Sequence, residues 1–255
     1  QLVDFSSDCH ILTEPWDRPG ALSHAAARLI RSNPAIGPLV MRADSAWSPD
    51  GEGRLSLRDL LGDAGFTPLA DDALLIALLT SAPNTDIPLE RFLTMLRGAM
   101  MRELAQAGPQ ALAFASALAQ QCFINDYVFL AEADELAAAR AVADSLDIAT
   151  PMQLLLAAAY APLHRLAHAE KLLERSWPAP VEAVLTQQLR EPLAELRLRA
   201  DIPRLTRIDD PVSRRVQNQY EENPYPRWVR AAPEAPDTLG NFLSNKFPFA
   251  QFERP

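Results

Sequence analysis

Between residues 66 and 200 apolar side chains return at helical spacing. Leu89, Phe92, Leu93, Leu96 and Met100 follow the i, i+3, i+4, i+7 rule, which lines up one face of an α-helix. Phe114, Leu118 and Cys122 repeat every four residues on a second predicted helix, and Ala139, Val142, Ala143 and Leu146 do the same on a third. Thr150-Pro151 supplies an N-cap and a proline at the first helical position. The helices it opens carry Leu154, Leu155 and Ala158, then Leu163, Leu166 and Leu172. Pro83, Pro88, Pro109, Pro151, Pro162, Pro178 and Pro180 mark short joints, and short joints make successive helices antiparallel neighbours.

The flanks differ from this body. Over residues 1–65 one amphipathic piece, residues 21–31, is stopped by Asn33-Pro34. His10-Ile11-Leu12 and Leu39-Val40-Met41 read as strands or as buried coil, Ser48-Pro49-Asp50-Gly51 as a turn, and Ser56 as the cap of a short helix containing Leu57, Leu60 and Leu61. Over residues 201–255 regular spacing fades and prolines crowd. One helix survives there, capped by Asp210, started by Pro211 and ended by Asn223-Pro224, with Val212, Val216 and Tyr220 as its expected buried face. The remainder reads as extended and carries Tyr225, Trp228, Phe242, Phe247, Phe249 and Phe252, too many aromatics for a free linker, so it is predicted to pack on something. The fold class is thus all-α: stacked antiparallel helical hairpins over 66–200, a less regular N-terminal segment over 1–65 and a capped helix with an extended C-terminal tail over 201–255. The tetratricopeptide pattern, with its period of about 34 residues, does not recur. A single helical body is favoured and a degenerate solenoid stays open.

Composition agrees with helices. Ala and Leu abound, glycines number only 9, and the apolar fraction of 48% is too high for a disordered chain. A net charge of -9 speaks against nucleic acid as the main partner. The longest apolar runs, such as residues 74–79, are too short to span a bilayer. Basic residues are nearly all Arg, with Lys only at Lys171 and Lys246, which together with the Ala excess suggests a GC-rich bacterial source. Cys9 and Cys122 form no metal or redox motif, and Gln1-Leu2-Val3-Asp4 has no secretion signal, so a cytoplasmic protein with reduced thiols is expected.

Candidate chemistry is sparse. His164 and His168 sit four apart on a predicted helix, a spacing that can bind a metal, but position 165 is Arg where a zinc protease needs Glu. Cys9-His10 with His24 is a looser grouping. Asp71-Asp72 and Asp209-Asp210 precede helices and read as caps, and Glu221-Glu222 is a third acidic pair. No glycine-rich phosphate loop, Gly-x-Ser-x-Gly elbow or Cys-x-x-Cys pair occurs. No catalytic residue and no metal site is therefore expected. Gln120, Gln121, Asn125, Asp126 and Tyr127, beside Phe123 and Phe129, form either a partly buried polar cluster or a solvent-facing stripe.

The block Ile208-Asp209-Asp210-Pro211-Val212-Ser213-Arg214-Arg215-Val216-Gln217, continued by Tyr220-Glu221-Glu222-Asn223-Pro224-Tyr225-Pro226-Arg227-Trp228, is distinctive. It resembles the segment just upstream of the catalytic domain in a group of bacterial S-adenosylmethionine-dependent methyltransferases, often fused to tetratricopeptide repeats. Leu89-Glu90-Arg91-Phe92-Leu93, the stretch from Ala119 to Phe129, and Gln188-Leu189-Arg190-Glu191-Pro192-Leu193 resemble the same group, so the likeness covers residues 66–255. In that group the next element is a strand ending in a glycine-rich turn that holds the cofactor; here the chain stops at Phe252-Glu253-Arg254-Pro255.

The resemblance implies an accessory domain without catalytic residues or cofactor of its own. S-adenosylmethionine would belong to the parent protein. The partners implied are a catalytic domain absent from this chain and, beyond it, a protein substrate. Tyr220, Tyr225 and Trp228 are the expected cofactor-binding residues, as a wall or lid stiffened by Pro224 and Pro226, with ring faces suited to an adenine or a sulfonium. The bland alternative is that these rings only glue two domains together. A different class of function, a stand-alone helical module holding a protein partner in a groove, competes with the whole reading.

Overall fold

The computed structural model describes residues 19–48, 53–103, 111–201 and 210–222, with backbone only for residues 19–22, 200 and 220–222. Among these residues every regular element is helical and no strand occurs. None of the described helices is long and apolar enough to cross a membrane.

Helix α1 (Pro19–Ser32) ends where Asn33 was expected to stop it. The Asn33 Oδ1 accepts from the Ala35 N–H at 2.9 Å, and its amide nitrogen donates to Asp72 at 2.7 Å, so the stop also ties the turn to a later helix start. Leu39-Val40-Met41 proves to be neither strand nor coil. It lies inside α2 (Gly37–Ala46), where Leu39 and Val40 are buried and Met41 is 70% exposed. Read with Ile36 and Ala43, the buried set falls at 36, 39, 40 and 43, which is helical spacing. A Cβ on Gly37 would run into the Arg31 carbonyl, so the α1–α2 joint is tight. Ser56 caps α3 (Leu57–Leu61), accepting from the Asp59 N–H at 3.0 Å, and Leu57, Leu60 and Leu61 are all buried as expected.

A short turn of helix, α4 (Thr67–Ala70), leads to α5 (Ala73–Ser81), which Asp72 caps. The central helix is α6 (Ile87–Arg102), capped by Asp86, and its stripe of Leu89, Phe92, Leu93, Leu96 and Met100 is fully buried. Phe114, Leu118 and Cys122 are equally buried on α7 (Ala111–Ile124). On α8 (Ala133–Ala143) the expected stripe holds only in part: Ala139 is buried, Val142 and Ala143 are half-buried, and Leu146 is buried in the turn beyond the helix. Thr150 and Gln153 form a reciprocal capping box at the start of α9 (Pro151–Ala158). α7 runs between α5 and α9, while α2 lies along α6 and α1 along α5. Ile30, Ile36 and Val40 accordingly share one core with Leu75, Phe92, Phe114 and Leu155.

The helix expected to carry Leu163, Leu166 and Leu172 is replaced by two 3-10 turns, Leu163–Arg165 and Ala169–Glu174. The spacing explains the difference. At about 100° per residue Leu172 would lie roughly half a turn away from Leu163 on one straight helix. Breaking the helix at His168, which takes a left-handed φ of 60°, lets Leu163 and Leu172 both be buried.

α10 (Ala179–Leu185) then passes through a wide turn, Thr186–Arg190, directly into α11 (Glu191–Asp201). The last described helix is α12 (Pro211–Glu222), where the Asp210 carboxylate accepts from the Ser213 N–H at 2.7 Å. Its expected buried face is not buried among the described residues, because Val212 is 56% and Val216 45% exposed. An amphipathic pattern sorts a helix into faces without supplying a partner, and α12 runs alongside no other described helix.

Candidate functional site

Two polar groupings are built into the helical core. The first centres on Gln188, fully buried in the wide turn between α10 and α11. Its amide nitrogen donates to the carbonyls of Ala119 (3.0 Å) and Ala158 (3.2 Å), and its Oε1 accepts from the Tyr127 hydroxyl (3.2 Å) and the Leu163 N–H (3.4 Å). One amide thereby pins α7, α9, the 163–165 turn and the loop after α7. Tyr127 reaches it because Asp126 and Tyr127 take consecutive left-handed φ values of 54° and 59°. Non-glycine residues accept that conformation only where the surroundings enforce it.

His164 belongs to this grouping and not to a metal pair. Its Nδ1 lies 3.2 Å from the Gln188 carbonyl oxygen, and its ring stands edge-on to Phe123 at 6.3 Å. His168 is exposed in the left-handed break, so the two histidines share no helix face.

The amide-rich stretch 120–127 takes the buried alternative only in part. Gln121 is fully buried and Asn125 nearly so, whereas Gln120, Asp126 and Tyr127 are half-buried. Among the described residues neither polar atom of the Gln121 side chain has a hydrogen-bond partner, and the Asn125 amide nitrogen also lacks one.

The second grouping is one that sequence reasoning missed. Arg97 of α6 is 1% exposed. Its guanidinium donates to the carbonyls of Ala159 (3.2 Å), Phe129 (3.3 Å) and Leu130 (2.7 Å) and lies 4.2 Å from the centre of the Tyr160 ring. The Tyr160 hydroxyl in turn donates to Glu135 at 2.9 Å, and the other Glu135 oxygen takes Arg102 at 3.0 Å. Tyr160 therefore joins a buried cation to a buried anion. Burial pushes its phenol far above the usual range, so it stays protonated. Burial likewise raises the Cys122 thiol beside Arg97. A signal for Arg97 existed, since position 97 continues the apolar stripe after Leu93. Glu135 and Tyr160 carry no comparable local mark.

Glu135 and Arg102 of this network line a cleft of ≈ 50 Å³ between the end of α2, residues 53–55, α6 and the loop before α8. Trp47, Leu55, Met95 and Leu130 give it apolar walls, and Arg54, Thr94, Arg102, Glu132 and Glu135 its polar ones. At its rim Arg54 bonds Asp134 (2.7 Å) and Glu132 (3.3 Å), and the Arg54 hydrogen bond holds the Asp134 carboxyl below the usual Asp range.

The sequence-predicted cofactor residues fall mostly outside the described residues. Tyr220 is placed on α12 by its backbone alone, and Tyr225 and Trp228 lie outside the described residues, as do Cys9, His10 and the Ser48-Pro49-Asp50-Gly51 turn beyond Ser48. No protein-family model, no curated protein and no solved structure matches this chain.

Proposed function

We propose that the chain is the helical accessory domain of an S-adenosylmethionine-dependent methyltransferase, positioning a substrate or covering the cofactor pocket of a catalytic domain in the same protein. One observation carries the reading. Two segments of the methyltransferase resemblance, 119–129 and 188–193, meet around the buried Gln188 amide, where Tyr127 and the Ala119 carbonyl both bond it. Residues of two resembling segments thus hold α7, α9 and the turn into α11 in register. The 208–228 segment contains α12, whose Val212 and Val216 are exposed, as a face that a further domain covers would be in this chain alone.

In this reading the cofactor does not sit in the cleft beside Trp47. A cleft of ≈ 50 Å³ is far below the several hundred Å³ that a nucleoside ligand fills. In this reading the chain contributes shape and orientation, and Tyr220, Tyr225 and Trp228 wall the pocket of the catalytic domain.

The test is to read the gene past the Pro255 codon and assay the full-length product for transfer of a labelled methyl group. A following glycine-rich strand–turn–helix unit, with cofactor affinity and turnover that fall in Tyr225→Ala and Trp228→Ala, supports the proposal. A reading frame without such a unit, or a full-length product that does not bind the cofactor, overturns it. The alternative, a stand-alone helical module for a protein partner, is favoured by one feature only, the cleft beside Trp47.

A further inference from the structure

We propose that residues 125–128, the turn that ends α7, form a latch that opens locally while the rest of the body stays folded. In the open form Tyr127 leaves the Gln188 amide, Asp126 and Tyr127 return to right-handed backbone, and water reaches the Gln121 and Asn125 side chains. This inference does not rest on the methyltransferase reading.

The strain of the closed form is concentrated in a few residues. Of the six buried side-chain atoms without a hydrogen-bond partner among the described residues, three belong to Gln121 and Asn125. Of the three described non-glycine residues with left-handed φ, two are Asp126 and Tyr127. Asp is tolerated in that conformation, but a bulky residue such as Tyr is an outlier there. Unsatisfied buried amides and left-handed backbone each raise the free energy of the state that holds them. Opening relieves both at once.

The geometry joins these groups. The Asn125 N–H bonds the Gln121 carbonyl at 3.0 Å, so the two side chains lie one turn apart on one face of α7. Gln121 is sealed at 0% exposure and Asn125, nearer the helix end, is 8% exposed. Opening at that end gives water a path to Asn125 first and to Gln121 behind it. The opening has fixed limits. Ile124 is buried on one side, and on the other Phe129 is buried with its carbonyl on Arg97 at 3.3 Å. Between them Val128 is 67% exposed, so little packing resists its movement. The Tyr127 hydroxyl anchors the closed form, shared between the Gln188 Oε1 at 3.2 Å and the Ala158 carbonyl at 3.3 Å. Because the same Gln188 amide bonds α7 and α9, the latch couples the surface at Val128 to the register of the core helices.

The experiment is native-state hydrogen exchange on the isotope-labelled chain at rising, sub-denaturing urea, read at the amides of Asp126, Tyr127 and Val128. These N–H groups bond the carbonyls of Phe123, Cys122 and Asn125. They are expected to exchange about a hundredfold or more faster than those of Leu93 and Leu96 in α6, with almost no dependence on urea, because local opening exposes little surface. Tyr127→Phe removes the anchor and is expected to speed this exchange about fivefold. Asp126→Gly suits the left-handed position, and Gln121→Met leaves no amide for water to reach; each is expected to slow it by a similar factor. A helix end that merely frays would not respond to Gln121, which lies a full turn inside it. Exchange with the urea dependence of Leu93 and Leu96, or rates that Tyr127→Phe and Gln121→Met leave unmoved, would overturn the proposal.

Discussion

Gly98 sits where any side chain would strike the Glu135 carboxylate, so α6 leaves out a Cβ to let Glu135 reach both Arg102 and Tyr160. A glycine inside a helix ordinarily costs about 1 kcal/mol relative to alanine. Gly98→Ala should nevertheless destabilise the protein, by about 1–3 kcal/mol, because crowding at Glu135 outweighs the gain in helix propensity. Urea unfolding checks the sign, and a stabilised variant would show that Glu135 moves aside freely.

Arg97→Leu should cost about 3–5 kcal/mol, since it strips the donors from three carbonyls and the cation from the Tyr160 ring. Arg97→Lys should recover little of this. One ammonium cannot reproduce a planar fork that bonds carbonyls on both sides while stacking on a ring. Equilibrium unfolding of the two variants beside the parent chain measures both effects.

Gln121→Met should raise stability by about 1–2 kcal/mol. The amide is fully buried with neither polar atom bonded, and a thioether of similar shape removes that desolvation cost. A loss of stability in the same unfolding assay would mean that the amide is satisfied in solution.

The start of α12 should respond to acid. The Ser213 backbone N–H holds the Asp210 carboxyl below the usual Asp range. A depressed folded pKa contributes stability that is present above the unfolded value and is lost as pH falls through the folded one. The amide signals of residues 211–214 should therefore remain helical down to about pH 4 and fray below it, and Asp210→Asn should flatten the dependence.

What was legible in the sequence was local. The stripe from Leu89 to Met100 and the caps at Ser56, Asp72, Thr150 and Asp210 depend on neighbours within a turn or two, and each is found where it was expected. Leu39-Val40-Met41 misled because three residues are too few to show a period, whereas Ile36 to Ala43 shows it plainly. The 163–172 stretch misled for the opposite reason: its leucines are individually helix-like but out of phase. The cleft and its network were not legible at all, because Trp47, Thr94, Glu135 and Tyr160 come from four separate elements that only the tertiary packing joins. Arg97 alone left a trace, as a charge on an apolar stripe.

The wide turn at Thr186–Arg190 places the Glu191 N–H on the Thr186 carbonyl, one residue further than an α-helix allows. Residues 179–201 can thus be counted as one helix with a single residue too many. That surplus residue works like one tooth added to a gear: it advances everything after it by about 100°. A relative lacking it would keep α10 against the body but aim α11 roughly a quarter turn away. The length of this helix, more than its composition, therefore sets the phase between the core and the faces of α11.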